Sequence, residues 1–392
     1  MVWNPAQKLI TERLETFKFR ALDERMKQLP RNDTRREAWL SVDRLSSQWV
    51  TSWPTHGNEL GYQEFGEIMA TYLGRESPVV RGLAGRKIPC ASHAAAQRAQ
   101  RGDPLTCDPY GIALGNATLP GGFKEPHDDV EWELFEMLKD AGLQTELQPC
   151  HLFSSVLPVR MLLDQHNHGA IVPDAASRLP LPPASFEPNQ PRVAALPERT
   201  HLFDVKTIYR GGGHYKHGRL TNTMQSGAVM QRGRMVNDEY VKKAQALDRA
   251  LSAPGMTPIE DRLRSFGDVR AVVFGAYGEA SRDVHLLIGV TAERMAARRW
   301  RAMGARTQTE ARGFIIGCLR KRMGMAAVRV MARHRLRRVP WVGVDRQVVV
   351  ERRQRGWHNP EAQARGRVRM EGRINPDEFF GYQERVGGRD SD

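Results

Sequence analysis

The chain has 392 residues, 40% of them hydrophobic and 27% charged, and a formal net charge of +14. That length suits two or three folded domains, and the composition excludes a chain disordered throughout. No run of about 18 apolar residues is present, so neither a membrane-spanning helix nor a membrane partner is expected, and Met1-Val2-Trp3-Asn4-Pro5 lacks the basic start and apolar core of a secretory signal.

Residues 1–89 read as helical, most clearly over 8–29 and 64–73. Over 90–126 Gly, Pro, Cys, His and Asp accumulate and the periodicity fades into loop. Residues 127–143, HDDVEWELFEMLKDAGL, return to a helical period, with Asp128 or Asp129 for the first turn and Gly142 to close it. Strands are expected at 144–148, 152–157, 170–173 and 200–208, with the Pro-rich stretch 178–199 as a surface loop between the last two. A loop opened by Gly211-Gly212-Gly213 carries Lys216, which reads either as a group that meets a phosphate or as part of an ordinary turn. A helix over 236–251 follows, then a buried-type strand at 269–275, and long helices over 282–303 and 307–338. From 354 the chain is polar, with scattered Gly and Pro. Four cysteines, Cys90, Cys107, Cys150 and Cys318, do not make a disulfide framework in a chain this long. A reducing, intracellular compartment is expected, nuclear if the source is eukaryotic.

The positive charge is concentrated. Between Arg294 and Arg373 there are 22 Lys/Arg against 5 Asp/Glu. Concentrated arginine suits a polyanion, because each phosphate contact releases condensed counterions. The alternative is a solvated basic face. In the 307–338 helix the apolar residues would pack on the protein while Arg312, Arg320, Lys321, Arg322, Arg329, Arg333, Arg337 and Arg338 track a phosphate backbone, joined by Lys243 from the earlier helix.

Several acids sit where acids are costly. At 100° per residue, Leu134, Phe135, Leu138 and Ala141 share one face of the 127–143 helix, and Glu131 lies at the centre of that stripe. A carboxylate aimed at the core must be paired, protonated or metal-bound, unless it serves only the first turn and the helix dipole. In His201-Leu202-Phe203-Asp204-Val205-Lys206, Asp204 and Lys206 project to the same side of an apolar strand. Such a pair can bind a divalent metal and position a water, or it can be an edge-strand ion pair. Upstream, Gly169-Ala170-Ile171-Val172-Pro173-Asp174 is an apolar run ending in Pro-Asp.

Taken together, Glu131 on a first helix, Pro173-Asp174 at a strand end and Asp204-Val205-Lys206 on the next strand resemble the PD-(D/E)XK nuclease superfamily. Glu131-Trp132-Glu133-Leu134-Phe135 through Leu138 to Gly142 is similar to the corresponding helix of archaeal Holliday-junction resolvases. The resemblance covers about 127–275, with a long gap between Asp174 and Asp204. It implies an α/β fold with a restriction-endonuclease-like core, a central mixed four-stranded sheet flanked by helices, between helical N- and C-terminal extensions. With the residue pattern on either side of that core, the expected organisation is a helical region at 1–89, a loop-rich Cys/His segment at 90–126, a nuclease core at 127–280, a basic helical region at 281–353 and a polar tail at 354–392. It further implies that Glu131, Asp174, Asp204 and Lys206 are catalytic. Glu131, Asp174, Asp204 and the Val205 carbonyl would hold Mg²⁺ or Mn²⁺, the metal would acidify a water, and Lys206 would orient it.

A looser likeness reaches the restriction-like endonuclease region of non-LTR retrotransposon proteins, through Cys90-x-x-His93, Asp108-Pro109-Tyr110-Gly111 and His127-Asp128. It implies a zinc site of which only Cys90, His93 and Cys107 are present, where structural zinc wants four ligands. The expected function is a metal-dependent DNA endonuclease, of mobile-element origin by this likeness. Alternatives are an inactive nucleic-acid-binding scaffold and a branched-DNA resolvase, which would act as a homodimer.

Overall fold

A computed structural model of the chain describes residues 5–30, 33–43, 45–52, 59–120, 122–158, 171–182, 197–210, 215 and 227–356. The helices are α1 (Pro5–Gln28), α2 (Thr34–Ser41), α3 (Tyr62–Tyr72), α4 (His93–Gln100), α5 (Ile112–Asn116), α6 (Lys124–Asp140), α7 (Gly227–Leu251), α8 (Pro258–Ser265), α9 (Arg282–Arg299), α10 (Gln308–Leu336) and α11 (Arg346–Gly356). The strands are β1 (Thr145–Leu147), β2 (Ala175–Leu179), β3 (Arg199–Thr207) and β4 (Arg270–Phe274). They form one mixed sheet in the order β1-β2-β3-β4, antiparallel at the first two joints and parallel at the last. The protein is therefore an α/β fold in which helices cover both faces of a four-stranded sheet.

Alternation along β3 assigns the two faces. Phe203 and Val205 point to the side covered by α6, α9 and α10, where they meet Leu134, Leu138, Leu287 and Ile315 in one buried cluster. Leu202 points to the other side, against Val236 and Tyr240 of α7 and Ile259 and Leu263 of α8. Burying each such side chain contributes about 1.5–3 kcal/mol. The 127–280 stretch and the helices after it thus share a single core. The ends of α6 follow from its sequence. Pro126 sits in the first turn, where its missing N–H costs nothing, and Gly142 at φ +69° receives the chain as Leu143 N–H returns to the Leu138 carbonyl.

Several elements differ from their sequence reading. The expected strand at 152–157 is a helical turn (Cys150–Phe153) followed by turns, with Phe153 and Leu157 buried four residues apart. No strand occupies 171–173, and residue 170 lies outside the described residues. The strand begins after Asp174, at Ala175, and takes in Arg178 and Leu179 from the stretch read as loop. Ala-Ala-Ser is a poor strand former by itself, but pairing with β1 and β3 on both sides overrides that preference. The segment read as loop before residue 127 holds α4 and α5. Residues 183–196 of the Pro-rich stretch, Lys216 and the tail from 357 lie outside the described residues. Among the described residues no helix is long and apolar enough to cross a membrane.

Candidate active site

Strand β3 outlasts β2, and the site is built where the shorter strand stops. Ile208 N–H bonds to Phe274 O on the β4 side, so the backbone groups of odd-numbered β3 residues face β2. Ala175 is the last β2 residue in the ladder, opposite Phe203. Two residues on, Val205 N–H has no strand partner and donates instead to Asp174 Oδ2 at 2.6 Å. The Val205 carbonyl leaves the strand on that same side.

Asp204 and Lys206 project to the α7 face. Asp204 is 2% exposed. Its Oδ1 accepts from Lys206 Nζ at 2.7 Å and from Tyr240 Oη of α7 at 2.8 Å. Its Oδ2 is buried too and stands 2.7 Å from the same Nζ, so the ammonium pairs with both oxygens. Burial and the neighbouring Asp174 charge raise the Asp204 pKa above the carboxylate range, against the pull of Lys206 and Tyr240. Burial and Asp204 likewise push the Tyr240 hydroxyl well above its ordinary value, so it is a fixed donor.

The first helix enters through a residue that the sequence reading used only to mark its start. His127 Nε2 lies 3.1 Å from Asp174 Oδ2, and its Nδ1 lies 3.2 Å from Asp128 Oδ1 and 3.8 Å from Glu131 Oε2. Burial alone would depress this imidazole. The bonds to Asp128 and Asp174, with the Glu131 charge, overcome it and push the pKa up to about 10. Asp174 responds in the opposite sense. Burial works against its ionisation, but His127, Lys206 and the Val205 N–H hold its carboxyl below the usual range. His127 is thus an imidazolium at neutral pH, placed between the acid of α6 and the acid at the head of β2.

The expected catalytic set is brought together unevenly. Asp174, Asp204, Val205 and Lys206 meet at the end of β2. Glu131 is buried as expected, 7% exposed, but it approaches from the opposite face of the sheet, and His127 stands between it and Asp174. Among the described residues the group of three metal-ligating side chains lying within 4.8 Å of one another is His127, Asp128 and Glu131, not Glu131 with Asp174 and Asp204. The oxygen donors of Asp174, Asp204 and Val205 suit a hard cation. Tyr240 is a buried tyrosine of the α7 face whose hydroxyl reaches Asp204.

The three residues of the implied zinc site are not brought together. Cys90, His93 and Cys107 do not form a ligand group among the described residues. Cys90 Sγ accepts from Thr118 N–H at 3.2 Å, Cys107 Sγ turns to Asp108 O, and His93 is exposed on α4. Both thiols belong to a small apolar cluster with Ile88, Leu114 and Val349.

The basic helix also departs from its reading. Arg322 bonds Glu133 at 2.9 Å and Asp140 at 2.7 Å, both on α6. Arg333 holds Glu64 of α3 at 2.6 Å, and Arg312 holds Glu293 of α9 at 2.6 Å. Arg329 is buried and donates to Glu59 O, while buried Arg338 donates to Gly122 O and stacks over Phe123. These five, four on α10 and Arg338 just beyond its end, fasten this segment to its neighbours and do not form a phosphate-tracking stripe. Arg320 and Lys321 are half-buried and Arg337 is exposed. Half-buried Lys243 lies with its Nζ 5.0 Å from the Tyr240 ring, beside the acid cluster. Comparison of the chain with protein-family models, with curated proteins and with solved structures finds no match.

Proposed function

We propose that this chain is a metal-dependent DNA endonuclease of PD-(D/E)XK type, hydrolysing phosphodiester bonds at the end of β2. The observation that carries the reading is the meeting of Asp174, Asp204 and Lys206 at a strand end where backbone groups are left over. Asp174 is tied to Val205 N–H, and Asp204 is held between Lys206 and Tyr240. The order helix, three strands, two helices, strand, closing in a mixed four-stranded sheet, supports a restriction-endonuclease-like core.

Asp174, Asp204 and the Val205 carbonyl would hold Mg²⁺ or Mn²⁺, with Glu131 behind His127. When bound, such an ion supplies Lewis acidity toward the phosphate and acidifies a water. The protein's own groups have separate tasks. Lys206, half-exposed beside Asp204, orients the attacking water and offsets the charge that builds on the phosphate. Tyr240 fixes the Asp204 rotamer. His127 balances the negative charge of Asp174, Asp128 and Glu131.

The test is Mg²⁺-dependent nicking of supercoiled DNA by purified protein. Asp204→Ala and Lys206→Ala should each abolish it while leaving the fold intact. Undiminished nicking by both variants would sink the assignment. A second reading, an inactive nucleic-acid-binding scaffold, draws on the imidazolium that stands between Glu131 and Asp174. Salt-sensitive binding without cleavage of duplex, branched or single-stranded substrates would favour it.

A further inference from the structure

Helix α7 carries a second charged group beside the acid cluster. Arg232 grips Glu239 with both arms of its guanidinium, Nη1 to Oε1 at 2.7 Å and Nη2 to Oε2 at 2.8 Å. The Arg232 side chain is 13% exposed and that of Glu239 is 40% exposed. This pair is not a routine helix staple. Helix neighbours that meet on the surface are three or four residues apart, whereas these are seven apart, a separation of about 10 Å along the axis. Arg232 therefore lies stretched along the helix.

The direction of that reach matters. At 100° per residue, positions 232, 239 and 243 fall on one narrow stripe of α7, and Tyr240 beside it bonds Asp204. Lys243 lies over the Tyr240 ring, and Lys206 lies across the same ring's hydroxyl on Asp204. The charges of Arg232, Lys206 and Lys243 all act on the Glu239 carboxylate, which stays ionised against the cost of its partial burial. By contact, Glu239 is held by the Arg232 fork alone, and Lys243 follows on the same stripe at the margin of the candidate site. A fork of two parallel N–H donors grips a phosphate as readily as a carboxylate.

We propose that this stripe of α7 binds a backbone phosphate of the DNA strand being cleaved, and that Glu239 occupies the site as an internal placeholder which the phosphate displaces. The inference rests on the nuclease reading and deepens it. It gives the site a strand-binding element on the helix next to the acids, where the arginines of α10 are engaged in the fold.

The experiment measures DNA binding apart from cleavage, by fluorescence anisotropy of the full chain in EDTA. The probes are a short labelled duplex and the single strand of the same sequence, titrated at several salt concentrations. Glu239→Gln should bind about fivefold more tightly, since a part-exposed ion pair no longer has to be broken. Arg232→Gln should bind about fivefold more weakly, with a salt dependence shallower by about one ion. The double variant should match Arg232→Gln, because without the guanidinium Glu239 has no site to block. Lys243→Gln should weaken binding in the same direction, and it tests the stripe if Arg232→Gln fails to fold. Equal losses of thermal stability in Glu239→Gln and Arg232→Gln with unchanged DNA affinity would make the pair a staple and overturn the inference. A wild-type chain that nicks DNA with Mg²⁺ while Glu239→Gln binds no better would overturn the inference alone. A wild-type chain that binds no DNA would overturn both.

Discussion

Tyr240→Phe isolates one donor at the candidate site. The side chain is 4% exposed, and its ring packs with Val236 and Leu202 between α7 and the sheet. Phenylalanine fills that space, so the fold should persist. What disappears is the hydrogen bond from Oη to Asp204 Oδ1 at 2.8 Å. A hydrogen bond to a charged group is worth about 1.5–3 kcal/mol, and Lys206 remains as the other partner of Oδ1. Burial and Asp174 already raise the Asp204 pKa, and Tyr240 is one of the two groups that restrain it. Without Tyr240 the acid binds its proton more tightly, and a metal must compete with that proton. The Mg²⁺ concentration for half-maximal nicking should rise about 10- to 150-fold, which is the same free energy at 1.36 kcal/mol per factor of ten. The rate at saturating Mg²⁺ should change little, because Tyr240 touches neither the water nor the phosphate in the proposed chemistry. The defect should grow as the pH is lowered, since the competitor is a proton. A folded Tyr240→Phe protein with a wild-type Mg²⁺ requirement at the lower pH would refute the reasoning.

Three further outcomes follow from the same electrostatics. The His127 pKa is raised from its ordinary value to about 10, so the stability it contributes is complete below pH 6.5 and is lost as pH rises through 10. Thermal unfolding of metal-free protein should weaken across that window, and His127→Asn should flatten the profile. An unchanged slope in the variant would contradict the assignment. Buried Glu279 has its carboxyl pushed up to about 7, by burial foremost, even though Tyr215 and the Tyr277 N–H hydrogen-bond to it. Its stabilisation is full below pH 4.5 and fades as pH rises through 7, so Glu279→Gln should raise the melting temperature above neutral pH and leave it unchanged in acid. Arg322→Ala should lower stability by about 1 kcal/mol, a figure kept small because the pairs with Glu133 and Asp140 are partly screened by solvent. It should leave DNA affinity and its salt dependence unaltered, and a shallower salt slope would show that Arg322 contacts phosphate after all.

Much of the sheet was legible because its strands are strongly patterned. The alternation in 200–208 and the apolar run at 269–275 located β3 and β4 to within a residue or so. The inward position of Glu131 was legible from the helical period. Other features depend on contacts between distant elements. The start of β2 was missed because Ala-Ala-Ser carries no strand signal and gains its pairing from both neighbours. His127 was visible only as a helix start. The one available cue was its spacing of four residues from Glu131, which puts the two on the same helix face. The arginines of α10 read as a free basic stripe because periodicity shows which side a residue faces, not what waits there. Glu64, Glu133 and Asp140, dispersed through the earlier sequence, are what wait.

Asp174 has two trades at once. Its carboxylate carries charge for the proposed chemistry, and the same oxygen receives the Val205 N–H where the next rung of the sheet would have been. Asparagine could keep the rung and lose the charge, while alanine would remove both and leave a buried amide without an acceptor. Selection on catalysis and selection on folding therefore press on a single atom. A lineage that abandoned cleavage would still have reason to keep an acceptor at this position, and the loss of function would be written first at Lys206, whose amine the sheet can do without.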